Sequence, residues 1–124
     1  MTPIAPHITA FLRERLPVQR AASEHTCDTY AYAFKLLFKY ASDRLHVKPS
    51  DLHLEQLDAP LILDFLAYLE SERSNGASTR NARLAAIKSF MRFLEYRKPE
   101  LLEQTRRILA IPKKRTDQKL VKYL

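Results

Sequence analysis

The sequence is poor in the residue types on which most active sites are built. It has one glycine, Gly76, so a phosphate-cradling loop of the G-x-x-x-x-G-K type is excluded. Its one cysteine, Cys27, excludes an internal disulfide and fits a reduced, cytoplasmic setting. His25 and Cys27 lie two positions apart, while His7, His46 and His53 are scattered. No C-x-x-C or H-x-x-x-H pair exists, so no metal site is expected. No two carboxylates are placed together for acid–base work. No apolar run approaches the ~18 residues of a membrane span, and Met1-Thr2-Pro3-Ile4-Ala5-Pro6 lacks the basic and apolar regions of a signal peptide. Strand-like alternation is nowhere sustained. These absences point away from an enzyme acting by itself, from a cofactor and from a small-molecule substrate.

Positive charge is abundant and unevenly spread. The net charge is +7 over 124 residues, yet residues 1–75 hold 8 Lys/Arg against 10 Asp/Glu. Residues 76–124 hold 13 against 4. A basic half of this kind points to a nucleic-acid partner before an anionic membrane surface, with a merely solvated basic face as the plain alternative.

The length suits one domain with one core, and 46% hydrophobic residues suffice to build it. Period-3.6 apolar stripes predict an all-α bundle of four to five helices. The first, over about 6–16, shows Ile8, Phe11, Leu12 and Leu16 and is expected to close at Pro17. The second runs from Ser23 or Thr26 to Leu45, with a broad face of Tyr30, Ala33, Phe34, Leu37, Phe38, Ala41 and Leu45. Its aromatics have the spacing that packing requires, which favours core over a base-stacking platform. Leu52 and Leu54 are expected to tuck in from a loop. Asp58 should cap the third helix, with Pro60 in its first turn and Leu61, Ile62, Phe65, Leu66 and Leu69 inward. The acidic residues Asp64, Glu70 and Glu72 are expected on its exposed side. A fifth helix is expected from about Glu100 to Leu109. The domain should end near 110, with 111–124 a basic linker opened by Ile111-Pro112-Lys113-Lys114-Arg115.

The fourth helix, ending near Arg97, is the centre of the reading. Asn75-Gly76 reads as a helix stop, and Ser78 or Thr79 can cap the new N-terminus. Leu84, Ile87, Phe90, Met91 and Leu94 form its apolar face. On a 100° wheel, Asn81, Lys88 and Arg92 share another face, with only Ala85 between them. Arg80 and Arg83 crowd the first turn, where the helix dipole disfavours cations and an external phosphate would offset it.

Three patterns in this order resemble a known family. They are Thr26-x-x-x-Tyr30-x-x-x-Phe34-x-x-x-Phe38, then Ser78-Thr79-Arg80-Asn81-Ala82-Arg83-Leu84-x-x-Ile87-x-x-Phe90-x-x-Phe93, then Ile111-Pro112-Lys113-Lys114. The chain from about 5 to 115 is similar to the N-terminal, SAM-like core-binding domain of tyrosine recombinases, the group of phage integrases, Xer-like resolvases and related transposases. The resemblance implies a helical bundle that clamps one face of duplex DNA while a separate C-terminal domain cuts from the other. It implies that Thr79, Arg80, Asn81, Arg83 and Lys88 approach DNA from the fourth helix, and Thr26, Lys35 and Lys39 from the second; Arg92 joins the DNA-binding candidates by the face it shares with Asn81 and Lys88. Lys113, Lys114 and Arg115 would follow the DNA backbone in the linker, and other recombinase protomers would share the site.

The catalytic half of that family's pattern does not occur here. The residues three after the four histidines are Ala10, Asp28, Pro49 and Gln56, so no H-x-x-R box exists. Tyr123 comes too early to be the nucleophile. The resemblance therefore implies a fragment of a longer recombinase, or a stand-alone binding module. A helical protein–protein module and a helix-turn-helix regulator remain the alternatives from the residues alone.

Overall fold

A computed structural model describes residues 1–116. Helix α1 (Ala5–Ala10) starts with Pro6 in its first turn, where a missing N–H costs nothing. It does not close at Pro17 as the sequence suggests. It widens instead into π-helical turns over Phe11–Gln19 that run through Pro17. The wider i→i−5 pattern relieves the clash between the proline ring and the preceding turn, and Arg20 N–H still reaches the Arg15 carbonyl at 2.9 Å. Ala21, in the left-handed region at φ 50°, then ends the run.

Helix α2 (Glu24–Leu45) is capped by Ser23, whose Oγ accepts from Thr26 N–H at 3.1 Å. His46 closes it with φ 57°, and Val47 N–H bonds back to the Ser42 carbonyl. Two 3-10 turns, Pro49–Asp51 and Leu54–Gln56, carry Leu52 and Leu54 into the interior. Helix α3 (Ala59–Ser71) is capped by Asp58, as expected, through Leu61 N–H at 3.0 Å. Helix α4 (Ala77–Arg97) follows, then a 3-10 turn, Pro99–Leu101, and α5 (Leu102–Leu109).

The start of α4 differs from expectation in two ways. Neither Ser78 nor Thr79 caps it: Gly76 is the N-cap and offers no side chain, while those two residues already lie in the first turn. The left-handed residue in the α3–α4 connection is Ser74, at φ 54°, whereas Gly76 sits at φ −76°. The lone glycine is thus a helix start rather than a helix stop.

The apolar faces of α2, α3 and α4 meet in one core. Leu37, Ile62, Phe65, Ile87 and Phe90 are fully buried there. Phe11 adds the first segment to this core, lying 6.0 Å edge-on to Phe34 and 5.3 Å from Phe90. Each fully buried large side chain of this kind contributes roughly 1.5–3 kcal/mol of transfer free energy. Gln104 secures α5 by donating to the Leu54 and Leu57 carbonyls at 2.7 and 2.9 Å. Among the described residues there is no strand, only one isolated antiparallel bridge between Pro3 and His53. None of the helices there is long and apolar enough to cross a membrane.

Candidate functional site

After α5 the chain turns back along α4, and the first half of α4 meets it with three polar side chains. Ile111 is buried and anchors the segment. Its carbonyl accepts from Lys88 Nζ. The Pro112 carbonyl accepts from Arg80 Nη1 at 3.1 Å. Asn81 pairs with both backbone groups of Lys114: Oδ1 accepts from its N–H at 2.9 Å, and Nδ2 donates to its carbonyl at 2.7 Å. The Lys114 ammonium crosses to α3, where Glu70 receives it on both carboxylate oxygens at 2.9 and 2.7 Å.

This arrangement moves two residues from their expected positions. Arg80 is only 6% exposed, beneath the exit segment, with Glu70 Oε1 4.0 Å from its Nε. Glu70, expected on an open acidic face, is half-buried between Arg80 and Lys114 because those cations need a counter-charge there. Arg83 lies with its guanidinium 5.1 Å from the Tyr32 ring centre, a cation–π contact between α4 and α2. Its Nε, like that of Arg80, is buried without a hydrogen-bond partner.

Beside the docked segment lies a cleft of about 610 Å³. Asn81, Ala85, Lys88 and Arg92, the four positions that share a face on the helical wheel, line it from α4 together with Leu84 and Ser89. Lys113 borders it from the exit segment, Tyr30 from α2, and Arg20 from the turn after the π-helical run. No carboxylate is among the residues lining it. Burial, followed by repulsion from Arg92, Arg80 and Lys113, holds the Lys88 ammonium below the usual lysine range. Cations are thus concentrated at one place without an acidic neighbour in the cleft wall.

The remaining candidates are more dispersed. Thr79, in the first turn of α4, and Arg115, at the end of the exit segment, are exposed. The Thr26 hydroxyl accepts from Ser23 Oγ at 3.0 Å and belongs to the α2 cap. Lys35 and Lys39 are exposed on α2 and do not line the cleft; Lys39 lies 3.9 Å from Asp43. Arg20 was missed in the sequence, where it falls in the acidic half and in a connector without periodicity. Ser89 and Tyr30, also in the wall, gave no signal beyond helical spacing. Among the described residues no group of three or more His, Cys, Asp or Glu could hold a metal ion. Tyr123, with the rest of 117–124, lies outside the described residues.

The family described as phage integrase, N-terminal SAM-like domain, matches residues 8–98. A Sinorhizobium fredii protein whose name places it with integrases and recombinases, y4rC, is 44% identical over 121 residues, covering 98% of this chain and 36% of that protein. A second protein from that organism, y4rD, carries the same kind of name. It is 41% identical over 121 residues, 98% of this chain and 43% of its own length. The chain therefore spans less than half the length of both relatives. No solved structure matches it.

Proposed function

The chain belongs to the phage integrase N-terminal SAM-like domain family, and from that premise we propose that it is the DNA-gripping part of a site-specific tyrosine recombinase. In this reading residues 1–110 form the core-binding domain, and 111–124 begin a basic linker toward a catalytic domain elsewhere in the protein. That domain breaks and rejoins strands, while this chain holds duplex DNA in place for it and performs no chemistry. Its partners are double-stranded DNA and other recombinase protomers on the same site, in the cytoplasm.

The observation that carries the reading is the cleft shared by Arg20, Lys88, Arg92 and Lys113. Three separate segments bring these cations together without an acidic wall, which costs free energy unless an anion is present. Duplex DNA offers one negative charge per ~1.7 Å of axis and matches such a surface. Exposed Arg115 continues the basic surface along the exit segment, where it lines a second hollow with Asn81, Lys113 and Lys114. Most contacts of this kind position the duplex by its phosphates and leave base reading to few side chains.

Fluorescence anisotropy of a labelled duplex over a salt series tests the proposal. Binding should weaken linearly in log–log form as salt rises, and Arg92→Glu should weaken it on every sequence tried. Absence of binding at low salt, or binding indifferent to salt and to Arg92→Glu, would overturn it.

A further inference from the structure

Three polar side chains of α4, those of Arg80, Asn81 and Lys88, are directed at the protein's own backbone. An asparagine that reads adenine uses its amide oxygen and nitrogen together. In Asn81 that same pair is satisfied by the N–H and C=O of Lys114. Arg80, nearly buried, donates to Pro112 and to Asn81 Oδ1. Lys88 donates to Ile111. The partners run in antiparallel order, Lys88 with Ile111 and Asn81 with Lys114.

We propose that the first half of α4, with Glu70, is a docking site for the exit segment 111–114, and that Asn81 is the positioning residue that keeps it docked on DNA. The part concerning DNA rests on the reading in the preceding section. Docking sorts the charges of the site. The Ile111 and Pro112 carbonyls accept from Lys88 and Arg80, Glu70 pairs with Lys114, and Lys113 is held in the cleft wall that Arg92 also lines. Asn81 then acts on DNA through Lys113 and without touching a base. For Asn81 to read adenine, both bonds to Lys114 would have to break, and Lys113 would lose its place in the wall.

The test has one arm without DNA. In the 15N-labelled 124-residue chain, the Lys114 amide should exchange slowly with solvent deuterium. Asn81→Asp, which keeps the acceptor oxygen and loses the donor, should give intermediate protection. Asn81→Ala should speed exchange about tenfold or more, with the core amides of α4 unchanged. A Lys114 amide that exchanges in the parent as fast as a free amide overturns the docking.

The second arm uses a duplex of random sequence and the salt dependence of binding. Asn81→Ala should flatten the log–log slope by about 0.9, Lys113→Ala should do the same, and the double variant should lose no more than either. An Asn81→Ala variant weakened on one duplex sequence only, with its slope intact, overturns the positioning role in favour of base reading. A parent that binds no duplex overturns the DNA reading and the role given to Lys113, while the exchange arm still decides the docking.

Discussion

Asn81 faces Lys114 as a neighbouring strand would, one side-chain amide matched to one peptide unit at 2.7 and 2.9 Å. The two residues are 33 positions apart in the chain. The pairing joins the point where α4 begins to the point where the chain leaves the bundle. It also separates residues that hold the fold from residues left to face a ligand.

Arg80 and Arg92 should therefore respond differently to removal. Arg80→Ala deletes a buried guanidinium that bonds Pro112 and lies near Glu70, and it should destabilise the fold by about 1–3 kcal/mol in urea. Because it also frees Pro112 next to Lys113, any change it makes in the salt slope should come with that loss of stability. Arg92 is exposed, so Arg92→Ala should leave the urea midpoint nearly unchanged and flatten the salt slope by ~0.9. The two measurements on the two variants make a four-way comparison, and a reversed pattern would refute this division.

Phe34 is 1% exposed and lies within 6.0 Å of the Phe11, Phe38 and Phe90 ring centres. Phe34→Ala opens a cavity between the first segment, α2 and α4. The expected loss is about 3–5 kcal/mol by chemical denaturation. A near-neutral result would mean that these rings do not depend on one another.

His7 should make stability depend on pH. Its Nδ1 accepts from Arg97 Nε at 3.0 Å, which requires the neutral ring. Burial, then repulsion from Arg97 and Lys98, lowers its pKa from 6.5, with Glu100 pulling the other way. The folded state thus favours the neutral form. This contribution is present above 6.5 and is lost as pH falls through the lowered folded value. Urea midpoints at pH 7.5 and 5.5 should differ more for the parent than for His7→Gln, which keeps an acceptor and does not titrate. Glu55 and Glu100 have pKa values lowered from 4.5, so their contributions change mainly at lower pH.

Ser74 carries a left-handed backbone that glycine adopts freely. Ser74→Gly should stabilise the protein by roughly 0.5–1 kcal/mol, the relief of strain exceeding the added entropy of the unfolded chain. Thermal unfolding reads this directly, and a loss of stability would show that the Ser74 side chain contributes more than its backbone costs.

The helices were legible because each buries a face at a spacing that 3.6 residues per turn explains. Leu61, Ile62, Phe65, Leu66 and Leu69 needed no tertiary information to be placed inward, and Asp58 before Pro60 marked its helix start. The Asn81–Lys88–Arg92 face was legible for the same reason. Arg20 was not, because π turns and the left-handed Ala21 bring it to the cleft, and neither follows a regular period. Nor was the burial of Arg80, since what covers it comes from 32 residues away. Local rules place a residue on a helix face and are silent on which distant segment lies over that face.

Seen as a mechanical joint, the docked exit segment has a weak and a strong direction. Its bonds to α4 run from Lys88 to Asn81 against the direction of the helix, with the Lys114 end outermost. Traction along α4 toward its N-terminus loads these bonds together, as in shear. A pull away from the helix loads the Asn81–Lys114 pair and the Glu70 contact first, and the segment peels open from there toward the buried Ile111. The segment 111–114 therefore resists a lengthwise drag more strongly than an outward swing.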